Sequence, residues 1–316
     1  MRLSRVIALM FSLSLPLLAE IGDLYSKELV DYKGVDILNF YIPVEEQNKY
    51  RTTIDYENGK DMDTIIWNVG EGYLELGKTW ELEYDIERKF YRTDIENYRG
   101  WNNIFSFVNG REETNFLGRV WDRTLVFGVE QETLEESTFD FERYKIFAGY
   151  RFRTPVDIGM GGTYLGFDIL GKKVFSTIED GWAGEINLVS STALGYGFQL
   201  FNTIYNEYIS YDRGEGYRLG VESYLRWTYE LSLDFALAVE LGMDMDRYFG
   251  DVTQDYNTEV YIYPHLLYSH NFTDRFRVFG EVGLPSYKLK ESKAELYNSS
   301  EDGIYYYGKI GLEYIF

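Results

Sequence analysis

Between Trp80 and Glu87 every second residue is apolar: Trp80, Leu82, Tyr84 and Ile86 alternate with Glu81, Glu83, Asp85 and Glu87. Successive side chains of a strand point to opposite faces, so an extended segment here has one apolar face and one acidic face. A helix of the same residues would scatter both kinds around its axis. The last segment of the chain repeats the rule, with Ile304, Tyr306, Gly308, Ile310, Leu312, Tyr314 and Phe316 on one side. Tyr305, Tyr307, Lys309, Gly311 and Glu313 fall on the other. A chain made of such segments is all-β and must place each face somewhere. A soluble sandwich gives its charged face to bulk water, whereas a transmembrane barrel gives its apolar face to lipid and its charged face to a wet lumen.

The same period carries from about residue 48 to the end, and predicts strands near 48–58, 63–76, 79–92, 101–108, 114–130, 139–152 and 157–170. Seven more follow near 182–194, 197–211, 217–229, 231–245, 257–269, 275–289 and 303–316. That is an antiparallel up-and-down barrel of fourteen strands, or twelve if the first and fourth are dropped and the rest re-paired. The connections support the even count. Short ones at Gly77-Lys78, Asn109–Glu113, Arg153–Val156, Gly195-Tyr196, Glu230 and His270–Asp274 alternate with longer, more acidic ones. The longer set is Thr93–Gly100, Gln131–Thr138, Gly171–Gly181, Asp246–Tyr256 and Lys290–Asp302, with Asp212–Gly216 a short exception. Short periplasmic turns alternating with longer outward loops are what a bacterial outer-membrane barrel requires.

Met1–Ala19 has the form of an export signal. Arg2 and Arg5 precede an apolar run, Val6–Leu18, of 13 residues, too short for a membrane helix, and Ala19 offers a small residue at the cut. Three segments are therefore expected: a signal peptide over 1–19, a periplasmic extension or partial plug over 20–47, and the barrel over 48–316. The aromatic Phe316 after alternating apolar positions, with Tyr314, resembles the C-terminal signal that the barrel-insertion machinery of bacterial outer membranes reads. The expected home is the outer membrane of a Gram-negative-type bacterium, among its lipid and lipopolysaccharide.

Composition closes off other classes. There is no Cys, which excludes a disulfide scaffold, thiol catalysis and Cys-ligated zinc. Lys plus Arg number 31 against 52 Asp plus Glu, so no basic excess exists to neutralise nucleic-acid phosphates. Of the two His, His265 shares a face with Glu259, Tyr261 and Tyr263 and is expected in the lumen as a pH-sensing group, while His270 reads as a turn residue. Neither sits in a Ser–His–carboxylate pattern, so no enzymatic activity and no cofactor is expected. Asp244, Asp246 and Asp251 cluster as carboxylates able to meet Ca²⁺, but without EF-hand spacing they read as a solvated acidic loop.

Assigning each strand's more polar face to the lumen makes the interior lopsided. Glu81, Glu83, Asp85 and Glu87 form an acidic wall, and Arg119, Arg123, Arg143, Lys145 and Arg151 a basic one. Arg218, Arg226 and Arg277 add basic candidates, Asp234 and Glu240 acidic ones. Two readings stand: a transverse field across a constriction, or charges paired with neighbours on adjacent strands.

The length, Tyr-rich acidic composition, absent Cys, hairpin rhythm and terminal Glu313-Tyr314-Ile315-Phe316 resemble those of the OmpG-type porins; fusobacterial and other Gram-negative porins share the pattern. That resemblance implies a fourteen-stranded, monomeric pore with little solute specificity, gated by the loop corresponding to Asp246–Tyr256; a trimer is the other porin assembly. The function expected is passive diffusion of small hydrophilic solutes and ions, leaning weakly to cations. The alternative is a non-conducting barrel acting as a surface adhesin or structural protein.

Overall fold

The computed structural model describes residues 48–58, 62–93, 97–109, 112–135, 140–157, 162–177, 180–212, 214–232, 235–250, 256–273, 275–283, 286–292 and 303–316. The segments 1–19 and 20–47, Asp234 and Asp251 lie outside them. Alternating apolar and polar residues give extended segments throughout, and no helix occurs among the described residues. The first eight strands are β1 (Lys49–Asn58), β2 (Met62–Glu75), β3 (Trp80–Thr93), β4 (Asn97–Asn109), β5 (Glu112–Phe116), β6 (Arg119–Glu135), β7 (Asp140–Asp157) and β8 (Gly162–Ser176). The second eight are β9 (Gly181–Gly195), β10 (Phe198–Tyr211), β11 (Gly214–Ser232), β12 (Phe235–Gly250), β13 (Tyr256–Thr273), β14 (Phe276–Gly283), β15 (Ser286–Ser292) and β16 (Gly303–Ile315).

Every pairing is antiparallel, and β1 returns onto β16 from Lys49↔Ile315 to Asn58↔Tyr306, closing the sheet. A closed sheet has no exposed edge of unpaired N–H and C=O groups. Two ring positions are each filled by two segments: β4 and β5 both pair with β6, and β14 and β15 both pair with β13 and β16. Sixteen segments thus make the fourteen-stranded ring that the periodicity predicts.

The strands run longer than periodicity suggests, and the loops are correspondingly shorter. β9 begins at Gly181 and β8 ends at Ser176, so the predicted loop Gly171–Gly181 is mostly strand. Asp246–Gly250, expected in a gating loop, completes β12. His270 is a strand residue of β13 and not a turn residue, its ring edge-on to Phe272 at 4.5 Å. Polar residues near the rim pair across strands as well as apolar ones do, and hydropathy does not show where such pairing stops. The predicted strand 114–130 is in fact two, β5 and β6, folded back at Leu117-Gly118, where both residues have positive φ (52° and 73°). A bulky Leu in the left-handed region is unfavourable, so the sequence offers no cue to this turn.

Register then decides which glycines matter. Gly128 lies opposite Phe147, Gly242 opposite Tyr263, and Gly311 opposite Phe279, all on the inward face. In each pair a Cβ on the glycine would collide with the facing ring. The rings therefore lie flat over backbone and are nearly fully buried.

Candidate functional site in the barrel interior

The two faces of the sheet differ sharply. Outward stand Ile54, Trp67, Phe90, Phe127, Ile146, Ile186, Trp227, Leu266 and Ile310, all exposed. Strand parity places all six Trp on this outward face, with Trp121 covered by Phe116 and Phe167. Inward stand most of the ion pairs. Buried on this face are Arg51, Arg226, Glu240, His265, Arg277, Glu281 and Glu313, groups that a barrel can hold only where charge meets charge or water.

The predicted acidic wall is on this face: Glu81, Glu83, Asp85 and Glu87 are half-buried and inward on β3. Arg143, Lys145 and Arg151 of β7 are inward too, but they do not confront the acids across an open gap. Arg151 Nη1 reaches Glu83 Oε1 at 2.6 Å over β4 and β6, whose inward residues in line with Glu83 are the small Ser106 and Gly128. Lys145 pairs with Glu130 at 2.8 Å and Arg143 with Glu132, both on neighbouring β6. Lys172 pairs with Glu185 of β9 and lies 3.6 Å from Glu207 of β10. Pairing with neighbours on the wall is therefore the arrangement the structure adopts for most of these charges.

Arg119 and Arg123 do not join them. They share β6 parity with Trp121, Phe127 and Val129, so they face outward, at the end of the barrel that carries the Leu117-Gly118 turn. Arg123 pairs there with Glu112 and lies 5.5 Å over the Tyr150 ring. The reason is simple alternation: choosing the arginines for the lumen would have turned Phe127 inward with them.

On the other side of the ring Arg226 binds Glu240 at 2.9 Å, directly opposite it in register. Arg218 is inward and lies over the Tyr205 ring at 5.7 Å. Arg277 meets Glu313 at 2.6 Å and Arg51 meets the same carboxylate at 2.8 Å. His265 is buried in the lumen wall, its Nδ1 3.4 Å from Glu281 Oε2 and its ring stacked on Tyr307 at 4.9 Å. Asp244 is inward and accepts a hydrogen bond from Tyr263 Oη at 3.0 Å; Asp246 lies opposite Gly220 in β11. Among the described residues no group of carboxylates and imidazoles could hold a metal ion. Tyr314 and Phe316 are exposed on the outward face.

One inward charge escapes a reading by alternation. Glu71 has the same odd parity as outward Trp67, yet it faces inward, 3.6 Å from Arg51. A bulge between Asn68 and Gly70 inserts one residue into β2 and flips the parity beyond it. Arg51, Asp55 and Lys309 obey the alternation, and their parity alone would have found them.

No protein-family model and no curated protein matches this sequence. Among solved structures the chain is similar to outer-membrane-expressed OmpT of Vibrio cholerae, at 11% identity over 85% of this chain and 96% of that one, TM-score 0.40. It is similar to a bacterial polysaccharide outer membrane secretin at 10% identity, 86% and 99% coverage and TM-score 0.45. It is similar also to an anion-selective porin from Comamonas acidovorans at 9% identity, 85% and 98% coverage and TM-score 0.39.

Proposed function

We propose that this chain is an outer-membrane porin, a single-chain pore that passes small hydrophilic solutes and ions by passive diffusion. The observation that carries the reading is the segregation of faces. Exposed Trp, Phe, Ile and Leu cover the outside, while the inside holds ion pairs such as Arg151–Glu83 and Lys145–Glu130. Such an outside is stable only against lipid, and such an inside only with water or paired charge. One chain closes its own ring, so each pore forms without a second copy, and a monomer is the assembly proposed. Passage involves no covalent chemistry, so the protein is not an enzyme and needs no cofactor. An adhesin would need extended loops, whereas most connections are short: residues 59–61, 94–96, 136–139 and 251–255 join their strands. The N-terminal export signal and the Tyr314–Phe316 terminus would bring the chain to the barrel-insertion machinery and into contact with lipopolysaccharide.

The test is conductance of the refolded mature protein in a planar bilayer, with reversal potentials in a salt gradient. Steady channels with a modest cation preference are expected. A correctly folded barrel that passes no current would overturn the porin reading in favour of a surface-binding barrel.

A further inference from the structure

A cavity of about 150 Å³ is cut into the inward wall where five consecutive strands of the ring, β3, β2, β1, β16 and β14, lie side by side. Five carboxylates line it: Asp55, Glu71, Asp85, Glu87 and Glu281. The two cations on its lining are already engaged, Lys309 with Asp55 at 3.4 Å, and Arg51 with Glu71 at 3.6 Å and with Glu313, outside the lining, at 2.8 Å. Asp85 is held by a neutral donor, Asn68 Nδ2 at 2.7 Å, and Glu87 lies 3.2 Å from Lys89. The lining thus carries an excess of negative charge where low-dielectric walls strengthen it.

A second observation points to a donor that the protein does not supply. Asn68 Oδ1, Asp55 Oδ1 and Glu281 Oε1 accept no hydrogen bond among the described residues. Asn68 and Glu281 are only 6% and 3% exposed, so these acceptors are costly as they stand. The remaining lining includes Ile66 and Phe279, an apolar flank beside the carboxylates.

We propose that this cavity is a binding station for a primary alkylammonium group. An ammonium brings a positive charge and three N–H donors to a place with surplus carboxylate and unsatisfied oxygens, and Ile66 and Phe279 receive its methylenes. The described residues hold no grouping of ligands for a bare metal ion, which favours the organic cation. The assignment rests on the porin reading and names the solute class that the pore retains longest: slim amines with a charged end.

The experiment adds 1,4-diaminobutane to the refolded mature protein in a planar bilayer and, in parallel, titrates it calorimetrically into the protein in detergent. Concentration-dependent block of current and saturable binding are expected, while the uncharged 1,4-butanediol does neither. In the double variant Asp85→Asn/Glu281→Gln the half-blocking concentration and the dissociation constant should each rise about tenfold. Glu142→Gln, on the exposed outward face, should leave both unchanged. Heat-dependent electrophoretic mobility verifies that each variant is a folded barrel. Equal block and binding in wild type and double variant, or butanediol acting like the diamine, would overturn the station while leaving an open channel intact. A silent channel that still binds the diamine at these carboxylates would sink the porin reading and keep the station.

Discussion

Glu313 is the carboxylate on which barrel closure should depend most. It stands on β16 directly opposite Arg51 on the β1 side and Arg277 on the β14 side, and its oxygens meet both guanidinium groups, at 2.8 and 2.6 Å. All three residues are less than a tenth exposed. Glu313→Gln keeps the shape and one acceptor but removes the charge that two buried cations share. Breaking a buried pair by removing one partner costs about 3–5 kcal/mol. Arg51 retains Glu71 at 3.6 Å as a second carboxylate, so the lower end, about 3 kcal/mol, is expected. Urea unfolding of the refolded protein, followed by Trp emission and far-ultraviolet circular dichroism, measures it. Arg277→Gln/Glu313→Gln should lose clearly less than the sum of the two single losses, because both remove the same interaction. A loss below about 0.5 kcal/mol in Glu313→Gln, the range of neutral surface changes, would refute the view that this seam is held by buried charge.

Three other outcomes follow from the same geometry. Gly242→Ala, which drives a methyl into the Tyr263 ring, should cost about 1–3 kcal/mol in the same urea assay. Leu117→Asn should stabilise the barrel by about 1 kcal/mol, since Leu117 is exposed with φ of 52° and Asn tolerates that conformation better. Phospholipids brominated on their acyl chains should quench most of the Trp emission in vesicles, because the Trp side chains face outward and Trp67, Trp101, Trp182 and Trp227 are exposed. Emission unchanged by bromine would mean that the outward face does not meet lipid.

Much of this protein is visible in a one-dimensional alternation, and the failures are instructive. Glu81, Glu83, Asp85 and Glu87, and likewise Arg143, Lys145 and Arg151, sit on the inward face as parity requires, since a strand has no freedom to turn one residue without turning its neighbours. Arg119 and Arg123 are charged yet face outward, because they share the parity of Phe127 on β6. Glu71 was out of reach, because a bulge carries no strong residue signature here. The Leu117-Gly118 turn is hidden for another reason, because Leu is not a residue expected at positive φ.

What the amino-acid order determined by itself is an antiparallel barrel of fourteen or twelve strands with an apolar outside and a charged inside; the closed ring of fourteen is set by the strand pairing. Period-two patterning over the whole chain admits few other ways to satisfy both faces. Tertiary structure alone decided which charges meet. Glu83 finds Arg151 across two intervening strands because Ser106 and Gly128 leave the path low, and Glu313 finds Arg51 because the ring closes there. The carboxylate-lined cavity exists because β1–β3 and β14–β16 become neighbours only at closure, 262 residues apart in the chain for Arg51 and Glu313. Alternation is local and can be read along the chain; register and closure are long-range, and they place the charges.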